Sequence, residues 1–119
     1  MTAPAPSAPD CLPPPRDPQA FSPRLPPGSC DAHLHVIGPQ QAYPLDPGRG
    51  YTPHTATLAD YRHFMAALGI ERAVLVQPSI YGQDNRAMLD ALREGGGNFR
   101  GVVVPRPDLG DADIEAMHA

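Results

Sequence analysis

The chemistry of this sequence is concentrated in Asp31-Ala32-His33-Leu34-His35, where two imidazoles stand two residues apart. Side chains alternate between the faces of a strand, so His33 and His35 project from one face and can aim their nitrogens at a common centre. That is how a strand offers two ligands to a divalent metal such as zinc or manganese, or two N–H donors to a developing oxyanion. An ordinary half-buried polar strand face has the same spacing, and the residues alone leave both readings open. Arg106 follows the third apolar segment, where a guanidinium at a strand's C-terminal end can meet an anionic substrate, and Arg49 in a long loop is a second candidate for that task. His54, His63 and His118 fall in a loop, off a helix's apolar stripe and in the last helix, all positions typical of solvated histidines.

The elements that must hold these groups are legible as periodicities. Cys30, Ala32, Leu34 and Val36 alternate with Asp31, His33 and His35, which predicts a strand. A Pro- and Gly-rich connection follows, Gly38 to His54, of the length seen in lids and binding loops. Thr57-Leu58-Ala59-Asp60 matches a capping box and predicts a helix to about Leu68, with Leu58, Tyr61, Met65 and Leu68 on one stripe and Gly69 as its stop. Ala73-Val74-Leu75-Val76 is a continuous apolar run suited to a parallel strand buried on both faces. Asp84 or Asn85 caps a second helix carrying Met88, Leu89 and Leu92, and Gly95-Gly96-Gly97 ends it. Phe99 to Val104 is the third strand, and Asp111 caps a third helix, Ala112 to His118.

The order β-loop-α-β-α-β-α predicts an α/β fold with a parallel sheet and right-handed crossovers. Three such strands do not close on themselves, so the pattern reads as the opening part of a barrel or sheet about twice as long or more.

Composition bounds the rest. Of 17 prolines in 119 residues, ten fall within residues 1–28, a segment poor in large apolar side chains and expected to be a disordered or polyproline-like leader. Its PxxP spacings, Pro15 to Pro18 and Pro23 to Pro26, also fit SH3-like grooves. Residues 29–119 are left to form the folded part. A net charge of −4 without a Lys/Arg run argues against nucleic acid or an anionic membrane surface as partner. Apolar runs are too short to span a bilayer and no secretory signal opens the chain, so a cytoplasmic location is expected. Cys11 and Cys30 form no disulfide framework and are expected to be free thiols.

The runs CDAHLHVIGP, YTPHTATLADY, AVLVQPSIYGQDN and GVVVPRP resemble the N-terminal part of the amidohydrolase superfamily, in its amidohydrolase-2 branch. Within it they are most similar to the 2-pyrone-4,6-dicarboxylate hydrolase-like lactonases, from about Ser29 onward. The resemblance implies the first three βα units of a distorted (β/α)8 TIM barrel of the metal-dependent hydrolase type, with its site at the C-terminal ends of the strands. It implies that His33 and His35 are the strand-one His-x-His that binds a divalent ion in metal-using members, while pyrone-dicarboxylate relatives work without one. It also implies that Tyr51 faces the substrate and that Ser79 lies near a substrate carboxylate, although Ser79 equally suits a turn after Pro78. Asp31 is expected to be a structural acceptor that anchors the strand.

The implied function is hydrolysis of a small carboxylated lactone by activated water. A metal-dependent decarboxylase or amide hydrolase on the same fold, and a small α/β binding module without catalysis, are the competing readings. The family's strand-four lysine or glutamate, later histidines and strand-eight aspartate have no counterpart in the sequence. The chain by itself is therefore expected to be inactive or nearly so.

Overall fold

The computed structural model describes residues 8–19 and 22–118; residues 1–7, 20 and 21 of the Pro-rich leader and Ala119 lie outside the described residues. Its elements are β1 (Cys30–Leu34), α1 (Leu58–Leu68), β2 (Arg72–Val76), α2 (Arg86–Gly95), β3 (Phe99–Val102) and α3 (Asp111–His118), with a 3-10 turn at Ser79–Tyr81. The strands are parallel in the order β1-β2-β3, and a helix separates each strand from the next. This is the βα order expected for the opening units of a (β/α)8 barrel.

One face of the sheet is covered. Leu34, Ala73, Leu75 and Phe99 from the strands form a single core with Leu58 of α1 and Met88 and Ala91 of α2. Leu75 is fully buried and Leu58, Met88 and Ala73 are at most 2% exposed. On β3 this packing is so close that a Cβ at Gly101 would lie 2.7 Å from Leu92 Cδ1 and 3.3 Å from Met88 Cε. Both atoms are tips of flexible side chains, which would have to shift to admit a larger residue there.

The capping signals become structure where they are local. Thr57 Oγ1 accepts from the Asp60 amide at 3.2 Å while Asp60 Oδ2 accepts from the Thr57 amide at 2.9 Å, which completes the capping box of α1. Gly69 closes that helix in the left-handed region, φ 80°, with its N–H on Met65 O. At α2 the expectation divides between two residues. Asp84 Oδ1 accepts from the Arg86 amide at 3.2 Å, whereas Asn85 makes no side-chain cap. Asn85 instead reaches Val104, donating from Nδ2 to its carbonyl at 2.9 Å and accepting its N–H on Oδ1 at 3.0 Å. This pair of bonds occupies both polar groups of the Val104 peptide, so β3 ends at Val102, two residues short of the expected end.

α3 starts one residue earlier than expected, at Asp111, and none of its residues is buried. Ile114 and Met117 face Leu89, Leu92, Phe99 and Val103 across an open groove of about 680 Å³.

The leader is tied to the folded part in ways that its composition does not reveal. Asp10 bridges in parallel to Thr52, with Cys11 N–H on Thr52 O at 2.8 Å and Thr52 N–H on Pro9 O at 2.7 Å. Arg16 pairs with Asp60 at 3.1 Å and reaches Thr55 O, and Arg24 donates to Ala66 O at 2.9 Å. Prolines cannot donate, so among the described residues the amides and guanidiniums between them carry the donor bonds of this segment. Among the described residues no helix is long and apolar enough to cross a membrane.

Candidate functional site

β1 does not alternate strictly. Asp31 pairs with Ala73 and Leu34 with Leu75, so three steps on β1 oppose two on β2. This bulge places Asp31 on the same face as Leu34, the face covered by the helices, instead of beside the histidines. His33 and His35 are left on the open face, both exposed.

There the two imidazoles meet edge to face, with ring centroids 5.1 Å apart and planes at 82°. His35 Nδ1 lies 2.9 Å from Val76 O, at the end of the neighbouring strand. A carbonyl only accepts, so Nδ1 carries a proton, which leaves Nε2 as the ring nitrogen without a protein partner among the described residues. Metal-binding histidines are oriented in this way, with one ring nitrogen donating to a backbone carbonyl and the other free to ligate. The pair therefore fits two positions of a divalent-ion donor set. Among the described residues no cluster of three or more His, Cys, Asp and Glu side chains completes such a set.

Asp31 does not join the histidines as a third ligand, because it lies on the other face and both its oxygens have partners there. Oδ1 accepts the His33 amide at 3.1 Å and Oδ2 accepts the Tyr61 hydroxyl at 2.6 Å. Burial, reinforced by this carboxylate, pushes the Tyr61 phenol well above its ordinary pKa, so it remains a donor across the whole working range of pH. Tyr61 is a residue that the sequence reading places only in the apolar stripe of α1. The signal for its second role is a hydroxyl on a stripe that faces a strand carrying an aspartate.

The long loop docks on the turn after β2. Tyr81 OH accepts the Gly38 amide at 3.1 Å, Asp46 N–H donates to Ile80 O at 2.7 Å, and Tyr43 OH donates to Asp90 at 2.6 Å. Tyr51 is half-buried and packs, with Ile37, Tyr43 and Leu45, against Ile80, Tyr81 and Ala87. Ser79 is exposed as the first residue of the 3-10 turn. Arg106 is exposed, 3.5 Å from Asp108, and lines a groove between α2 and α3 with Asn85, Arg86 and Arg93. Arg49 is taken up within its own loop by Thr52 Oγ1 and Asp46 O.

His33 and His35 are thus in mutual contact. The cavity that His35 lines, about 150 Å³, is otherwise bounded by Pro14, Pro15, Arg16 and residues of the α1 N-terminal region, and includes none of Tyr51, Ser79 and Arg106. Sequence reasoning also passes over Gln77, which is 6% exposed and whose Nε2 staples the loop after β2 by donating to Asp84 O at 2.8 Å and Gly82 O at 3.2 Å. Its Oε1 is buried and unpartnered among the described residues.

Comparison with known proteins gives this geometry a context. The amidohydrolase family model matches residues 30–119. The chain is 42% identical over 95 residues to the 2-pyrone-4,6-dicarboxylate hydrolase of Comamonas testosteroni, covering 80% of this chain and 31% of that protein. It is 43% identical over 93 residues to the 4-sulfomuconolactone hydrolase of Hydrogenophaga intermedia, covering 78% and 31%. A crystal structure of an Agrobacterium tumefaciens protein in its apo form superposes with a TM-score of 0.74 at 30% identity, covering 86% of this chain and 36% of the other. The chain spans about a third of the length of the curated relatives it matches.

Proposed function

Because the chain belongs to the amidohydrolase family, whose model matches residues 30–119, we propose that it supplies the strand-one part of a site that hydrolyses a small carboxylated lactone. The observation that carries this reading is the His33–His35 pair on the open face, with His35 oriented by Val76 O. The similarity to hydrolases of two lactone-type substrates supports the substrate class.

Lactone opening requires water to add to the ring carbonyl, the resulting oxyanion to be stabilised, and the ring oxygen to leave with a proton. His33 and His35 are the catalytic pair at that carbonyl. If a zinc or manganese ion is used, these two side chains hold it, and it supplies carbonyl polarisation and a more acidic water. Without one, ring N–H groups of the pair would stabilise the oxyanion, His35 from Nε2 in its protonated form because its Nδ1–H is held by Val76 O. Tyr51, Ser79 and Arg106 are the proposed substrate contacts, two hydroxyls and a guanidinium suited to carboxylates. Asp31 is turned to the packed face and held there by Tyr61 and the His33 amide, so it does not serve as the base that activates the water. The 119-residue chain by itself is therefore expected to turn over little or no lactone.

The test is a chimera in which residues 30–118 replace the matching third of the Comamonas hydrolase. Ring opening of 2-pyrone-4,6-dicarboxylate that is lost in His33→Ala and in His35→Ala supports the proposal. A folded chimera that leaves the lactone intact overturns it, and release of carbon dioxide instead would assign a decarboxylase.

A further inference from the structure

We propose that Tyr61 is a positioning residue for the histidine pair, acting from α1 through Asp31 to hold the β1 bulge that sets Asp31 and His33 on opposite faces and fixes the backbone of His33. The proposal rests on the reading above that the two histidines work together.

Three contacts form an unbroken chain from the core to the site. Leu58, 2% exposed, fixes the first turn of α1 in the core, and Tyr61 packs against the same cluster one turn later. The Tyr61 hydroxyl donates to Asp31 Oδ2 at 2.6 Å, and Asp31 Oδ1 accepts the amide of His33 at 3.1 Å. The bulge lies between Asp31 and Leu34, so the amide held by Asp31 belongs to a residue within it. Without the bulge, period-two alternation would carry Asp31 to the face of the histidines. A carboxylate on the helix face is tolerated only while it is hydrogen-bonded, and the Tyr61 hydroxyl supplies the bond that comes from that face. Removing the hydroxyl leaves that oxygen unpaired, favours regular pairing or a rotated carboxylate, and loosens the backbone that aims His33. His35 is aimed separately, by Val76 O, so the lesion falls on one histidine of the two.

The test uses the full 119-residue chain and compares Tyr61→Phe, Asp31→Ala and Asp31→Asn with the parent. Asn keeps an acceptor for the His33 amide and an N–H that can face the Tyr61 oxygen. Two readouts are taken: hydrogen exchange of the His33 amide relative to amides of β2, and zinc affinity by competition with a chelator. The expected result is at least about tenfold faster exchange at His33 alone in Tyr61→Phe and Asp31→Ala. Zinc binding weakens by about 10- to 100-fold in the same two variants. Asp31→Asn stays near the parent in both. A Tyr61→Phe chain that melts earlier but keeps parental His33 exchange and zinc affinity overturns the proposal, because Tyr61 would then only pack. A parent that binds no zinc, but whose His33 amide responds as described, keeps the positioning role and removes the metal reading of the pair.

Discussion

The two faces of the same three strands are built on opposite terms. Towards the helices, Ala73, Leu75 and Phe99 are at most 6% exposed, and α1 and α2 seal them. Towards the other side, Val102 and Val104 are 50% and 43% exposed, and the two histidines stand in the open. Stability therefore lives on one face and candidate chemistry on the other. The bulge in β1 is where the two meet, because it gives Asp31 to the packed face and His33 to the open one. α2 and α3 repeat the contrast among the helices: α2 buries Ala87, Met88 and Ala91, whereas α3 buries nothing.

Substitutions can break that comparison, beginning with the packed face. Leu75→Ala empties the centre of the core and should cost about 2 to 5 kcal/mol, read from the urea midpoint. Since small domains have only about 5 to 15 kcal/mol in total, this change approaches the unfolding limit, and a loss below about 1 kcal/mol would mean that the core is not closed there.

Gly101→Val comes next. On strand propensity alone valine should help, but its Cβ would lie 2.7 Å from Leu92 Cδ1, and the tips of Leu92 and Met88 must shift, so a loss of about 1 kcal/mol is expected. A gain on thermal melting would show that α2 is free to move away.

Thr57→Ala removes one half of the capping box and should cost about 1 kcal/mol. The other half responds to acid. The Thr57 amide, followed by the Thr57 hydroxyl and Arg16, holds the Asp60 carboxyl below its ordinary value of 3.8. A carboxyl depressed in the folded state binds fewer protons there than in the unfolded chain, so its contribution is complete above 3.8 and disappears as pH falls through the lower folded value. Stability measured from pH 6 downward, a range of about four units, should show a step in that acid window that Asp60→Asn reduces, leaving the part that belongs to Asp84, whose carboxyl Arg86 also holds low.

The smallest effect belongs to the open face. Val102→Thr should change stability by no more than about 0.5 kcal/mol, and a larger loss in denaturant titration would reveal packing on that side.

The sequence is a good guide wherever the interaction is short. Thr57 and Asp60 are three residues apart, Gly69 follows its stripe directly, and the apolar centre of β2 falls where its run predicts. The His33–His35 pair is legible for the same reason, since two residues on a strand end cannot be far apart. Asn85 shows where this stops. By type and position it is a helix cap, yet its partner is Val104, 19 residues away. Tyr61 belongs to a stripe by spacing, and only the approach of β1, 30 residues earlier, turns its hydroxyl to Asp31.

Local propensity and spacing thus determined the order of the elements, the caps of α1 and the existence of the histidine pair, because each depends on atoms within a turn or a pleat. The bulge that assigns Asp31 to one face and His33 to the other, the attachment of the leader through Arg16 and Arg24, and the exposure of α3 were decided only by the tertiary structure. Register is a relation between strands some 40 residues apart, and side-chain direction reverses with a single-residue shift in it, so no pattern within β1 alone can specify which face a residue serves.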